Sequence, residues 1–73
     1  MNIYIYVYMS IETKLTSVKI IKTLYENFRV KTVNSSMNLQ KIVNRSIHQY
    51  LNDAVIREQI EGYDKLFVSG SKY

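Results

Sequence analysis

The spacing of apolar residues changes along this chain, and each change marks a new element. Residues 1–9 alternate aliphatic Ile3, Ile5 and Val7 with aromatic Tyr4, Tyr6 and Tyr8, a period of two in strand-favouring residues that predicts an extended segment. Ser10 to Thr13 is polar and breaks the parity: the apolar positions before it are odd-numbered, whereas Val18 and Ile20 are even. A second, separate extended piece is therefore expected, with Val18 and Ile20 on one face and Leu15, Ser17 and Lys19 on the other.

From Lys22 the period becomes helical. Leu24 and Phe28 are four apart with Tyr25 beside them, which predicts a first helix over about 22–33; Thr23 is a candidate cap, and Lys22 with Glu26 suits an exposed i,i+4 pair. Asn34, Ser35 and Ser36 end it, because their side chains compete for backbone hydrogen bonds. Asn38 then caps a second helix whose stripe runs through Leu39, Ile42, Val43, Ile47, Tyr50 and Leu51, with Gln40, Lys41, Asn44, Arg45, His48 and Gln49 opposite. Ser46 sits inside that stripe, as close approach of two helices would require. Asn52 or Asp53 caps a third helix over about 53–67, carrying Val55, Ile56, Ile60 and Tyr63, with Gly62 tolerated inside it or ending it early. The tail from Ser69 to Tyr73 reads as disordered.

Composition narrows what such elements can do. At 73 residues there is room for one domain, and a lone chain of this size buries little apolar surface. With no Cys and one His, neither disulfides nor a metal site replaces the missing core, so dimerisation is the expected remedy and no cofactor is expected. A hydrophobic fraction of 47% argues against disorder, and two Gly with no Pro favour long helices. The sequence shows no signal-peptide pattern or membrane-spanning run, no membrane partner is expected, and the chain is expected inside the cell, in cytoplasm or nucleoid, or in host cytoplasm if viral.

Charge is placed unevenly. Residues 14–45 carry Lys14, Lys19, Lys22, Arg29, Lys31, Lys41 and Arg45 against Glu26 alone, a net +6 in a chain of net +4. Clustered cations predict a polyanion, with nucleic acid ahead of an anionic membrane, although a solvated basic face gives the same count. The third helix is acidic on its polar side, through Glu58, Glu61 and Asp64, and should face away from any polyanion.

Taken together, Thr16-Ser17-Val18-Lys19-Ile20, then Leu24 and Phe28, then Asn38 with Ile42, Val43, Ser46, Ile47, Tyr50 and Leu51, resemble the ribbon-helix-helix family of prokaryotic and viral DNA-binding proteins. The resemblance covers residues 14–51. It implies a mainly α fold with one short strand per subunit: an intertwined homodimer with a two-stranded antiparallel ribbon, here with an extra C-terminal helix as in small viral members. The chain would then divide into an extended or flexible segment 1–13, a DNA-binding and dimerisation domain 14–51, a helical extension 52–68 and the tail.

The same resemblance implies the contacts. The ribbon enters the major groove with Leu15, Ser17 and Lys19 toward base edges. Phosphates are held at the start of the second helix by Asn38, Leu39, Gln40 and Lys41, with Lys14 and Lys22 adding charge. Val18, Ile20, Leu24, Phe28, Ile42, Val43, Ser46, Ile47, Tyr50 and Leu51 form the dimer core. Two departures are Leu15, where a polar residue is usual, and Ser36, where the turn usually has Gly to reach positive φ.

These residues predict a homodimeric regulator that binds double-stranded DNA in a sequence-specific way. No phosphate loop, nucleophile motif or carboxylate pair suggests an enzyme, and His48 reads as a surface or interface residue. The alternative is a protein-interaction module, such as an antitoxin, whose residues 53–73 bind a partner protein.

Overall fold

The computed structural model describes residues 11–66 and Tyr73. Three helices follow one another: α1 over Lys22–Thr32, α2 over Leu39–Asn52 and α3 over Ala54–Glu61. The expected alternating segment 1–9 and all of the tail but Tyr73 lie outside the described residues.

The ribbon is absent. Among the described residues there is no strand, and residues 11–21 have no regular element, which overturns the ribbon-helix-helix fold and the ribbon's place in a major groove. The physical reason is that a strand exists through ladder hydrogen bonds to a neighbour, and alternation in sequence supplies a face without supplying that neighbour. Leu15, Ser17 and Lys19 are therefore exposed along an irregular arm that leads into α1, with Leu15 at 98% exposure.

α1 starts without a side-chain cap. Ile21 occupies the N-cap position and its carbonyl accepts from the Tyr25 N–H at 3.0 Å; Thr23, expected as the cap, lies inside the first turn. Lys22 and Glu26 form the expected i,i+4 pair at 4.0 Å, largely solvated and contributing only about a few tenths of a kcal/mol. At the other end Arg29 and Lys31 meet the negative pole of the helix, and the Thr32 hydroxyl donates to the Phe28 carbonyl at 2.8 Å.

The turn to α2 is held without glycine. Ser35 N–H donates to Thr32 O at 3.0 Å, Met37 N–H to Ser35 Oγ at 2.8 Å, and the Lys41 ammonium to Ser36 O at 2.7 Å. Asn38 then caps α2, its Oδ1 accepting the Lys41 N–H at 2.8 Å. A cap of this kind contributes about 1 kcal/mol. The Asn38→Ala chain is expected to lose roughly that amount, read as a lower helix content by circular dichroism and faster amide exchange at residues 39–41.

A single residue, Asp53, joins α2 to α3. Its extended backbone ends one helix, and its carboxylate starts the next by accepting the N–H groups of Val55 at 2.9 Å and Ile56 at 3.2 Å. Arg57 secures the corner from the α3 side: its Nε donates to Tyr50 O at 3.0 Å and its Nη2 to Leu51 O at 3.2 Å, and the guanidinium lies 5.6 Å from the Tyr50 ring centre. α3 stops at Gly62, shorter than the expected 53–67, and Gly62 has an ordinary negative φ of −91°.

Among the described residues, α2 and α3 are the only helices that pack on each other. No described residue is buried, and the large apolar side chains of α1 and α2 face outward: Ile47 is 55% exposed and Leu51 65%. No two described residues twelve or more apart in sequence approach within 8 Å between Cα atoms. Helices of this length are marginal in water by themselves, and the described residues bury no core that would add to their stability.

Candidate nucleic-acid interface

Three features converge on α2. The first is amphipathicity: Leu39, Ile42, Val43, Ser46, Ile47, Tyr50 and Leu51 share one side, and Lys41, Arg45 and His48 lie on the other. The second is charge, since the helix contains no acidic residue from Leu39 to Asn52. The third is the start of the helix, where the backbone N–H groups and the positive pole of the dipole favour an anion.

Lys41 sharpens that third feature. It occupies the third helical position, where a glutamate would close a capping box and complement the dipole. A cation there costs a few tenths of a kcal/mol to about 1 kcal/mol unless an anion answers it. The Ser36 carbonyl accepts a hydrogen bond from this ammonium at 2.7 Å and holds the charge over the turn. Local electrostatics at the turn thus favour an anion over a further cation.

Of the expected phosphate contacts, Asn38, Leu39, Gln40 and Lys41 are together at this helix start, whereas Lys14 lies on the irregular arm and Lys22 opens α1. The expected base contacts Leu15, Ser17 and Lys19 are exposed on the arm, where no shared strand face groups them. The expected dimer core is not assembled within one chain. Val18 is 74% exposed, and Phe28, Ser46 and Tyr50 are only half-buried.

Comparison with protein families, curated proteins and solved structures gives no match. The site is therefore read from its own geometry.

Between the end of α1 and the start of α2 lies an open groove of about 450 Å³. Tyr25, Phe28, Val33, Met37 and Leu39 make it largely apolar, with Arg29 and Thr32 at its side. Arg29 lies 5.9 Å from the Tyr25 ring centre, a cation–π distance. At the far corner, the Tyr50 hydroxyl donates to a Glu61 carboxylate oxygen, and that bond, with the adjoining negative charge, holds the phenol above its ordinary range. Among the described residues no cluster of His, Cys, Asp or Glu fits a metal ion, and no helix is long and apolar enough to cross a membrane.

Arg57 was not legible as a structural residue, because its reach runs seven residues back across the corner. A signal existed: Arg57 follows a helix end that lacks any basic residue in its last turn. Arg45 and His48 were placed on the polar side by spacing alone, and their alignment with Lys41 at i, i+4 and i+7 was the signal for a continuous basic face.

Proposed function

We propose that the chain is a homodimeric double-stranded DNA-binding protein, a regulator of transcription acting inside the cell. The observation that carries the reading is the net +6 between residues 14 and 45, of which the only ion pair formed among the described residues is Lys22 with Glu26. Cations left unpaired in this number favour a polyanion that releases its counterions on binding. The exposed apolar sides of α1 and α2 supply the reason for two copies, because covering them would give the core that the described residues lack.

In this reading the helix start at Asn38 to Lys41 holds phosphate, and the arm contributes the base contacts. A basic extended arm enters a groove more readily than a packed element does, and Ser17 and Lys19 then meet base edges, Lys19 donating to guanine O6 or N7. The Lys19→Ala chain is expected to lose preference for its selected site by about 1–3 kcal/mol, while non-specific affinity falls only slightly. Selection from a random DNA pool identifies the site, and competition against random duplex measures the preference. Unchanged preference would remove Lys19 from the base-reading set.

A protein-interaction module is the second reading. The observation favouring it is the exposed Val55 and Ile60 on α3, beside an acidic polar side formed by Glu58 and Glu61. A stoichiometric protein partner that is lost on removing residues 53–73 would support it.

A further inference from the structure

Lys41, Arg45 and His48 stand at i, i+4 and i+7 on α2, so they form one stripe about 10.5 Å long at about 1.5 Å of rise per residue. Arg45 and His48 are exposed, and none of the three has an acidic partner among the described residues. The charged groups of α3 do not neutralise the stripe. Arg57 is turned to the carbonyls of Tyr50 and Leu51, and Glu61 to the Tyr50 hydroxyl, which lies on the opposite, apolar side of α2.

We propose that this outer face of α2 is a track for consecutive phosphates of one DNA strand, continuing from the anion-favouring helix start through Lys41 and Arg45 to His48. The inference rests on the DNA-binding reading above and adds Arg45 and His48 to the contact surface. It follows from the two-sidedness of the helix: when a second copy covers Ile42, Val43 and Tyr50, the stripe is the side left facing solvent. A phosphate track suits it because the three side chains are polar donors and their neighbours Asn44, Gln49 and Asn52 are polar as well.

An anionic bilayer suits the same charges less well. A helix lying in a membrane surface needs its cations at the edges of the apolar face, where headgroup phosphates lie. Here Lys41 and Arg45 are near the middle of the polar side, turned away from Ile42, Val43 and Tyr50.

The test uses the full chain and a short random-sequence duplex, with binding followed by fluorescence anisotropy between about 50 and 200 mM salt. The Arg45→Gln chain is expected to bind more weakly to selected and random duplex alike, with the slope of log affinity against log salt reduced by about 0.9. Arg45→Lys restores the slope, and Glu58→Gln on α3 leaves it unchanged. Amide shifts at 41, 45 and 48 on adding duplex to the unsubstituted chain give a second readout independent of any variant's folding. A slope unchanged by Arg45→Gln, or amide shifts that bypass α2, overturns the track while leaving DNA binding in place. If the unsubstituted chain shows no DNA binding at the lowest salt, the DNA-binding reading itself fails and the track with it. Loss of binding to phosphatidylserine vesicles in Arg45→Gln, with the DNA slope intact, assigns the stripe to membranes and overturns the proposal.

Discussion

The Ile42→Asp chain is expected to be monomeric and largely unfolded at micromolar concentration. Ile42 belongs to the α2 stripe, beside Leu39, Val43 and Ser46, and 37% of its surface stays exposed among the described residues. A second copy closing over that stripe would bury an unpaired carboxylate in each chain, at a penalty of about 3–5 kcal/mol per site. Two such sites weaken association by several orders of magnitude, since about 1.4 kcal/mol is a factor of ten. Without association the helices revert to their isolated stability, which is marginal at 8 to 14 residues. Sedimentation equilibrium and far-ultraviolet circular dichroism on the same sample check both halves. The Asn44→Asp chain, changed on the polar side, is the control and should remain associated and helical. A folded, monomeric Ile42→Asp protein would show that the chain is stable alone and that the apolar stripe serves another partner.

The second large effect is expected at Arg57. Its side chain satisfies two carbonyls in the last turn of α2, places a positive charge at the negative pole of that helix, and lies over the Tyr50 ring. No basic residue in the last turn of α2 does this instead. Arg57→Ala removes both bonds and the packing of the stem, with an expected loss of about 1–3 kcal/mol after allowing for partial solvent screening. The loss should be local: amide exchange rises across residues 54–61, while α1 keeps its protection. Arg57→Lys is expected to recover little, because a single ammonium lacks the planar fork that reaches Tyr50 O and Leu51 O together. Equal exchange rates in Arg57→Ala and the unsubstituted chain would mean that Asp53 alone holds the corner.

These effects separate what sequence reveals from what it conceals. Asn38 was legible as a cap, and Asp53 as one of two candidates with Asn52, because a cap is a local bond, closed within three residues by atoms whose chemistry the sequence names. The three helical patterns were legible for the same reason, although α3 ends earlier than its apolar spacing suggested, at the residue with the weakest helix preference. The alternation across residues 15–20 is necessary for a strand and not sufficient for one. Pairing depends on a second segment that no local pattern specifies. At α1, Thr23 was chosen as cap by residue type, yet the helix begins one residue before it because Ile21 O already accepts from Tyr25. The expected phosphate contacts at the start of α2 are grouped in sequence and in space, whereas the expected base contacts rest on a shared strand face and disperse without one.

Lys41 links the turn, the helix start and the ligand in one thermodynamic cycle. With its ammonium fastened to Ser36 O, the free protein carries a like-signed charge against the positive pole of α2. An anion arriving there does two things at once: it is bound, and it removes a cost that opposed the helix. Any ligand that prefers the folded state raises its stability by mass action, so folding and binding share a common free energy at this position. Under the proposed DNA binding, the first turn of α2 would be firmest on the duplex, and the free protein would hold part of its helix energy in reserve for that encounter.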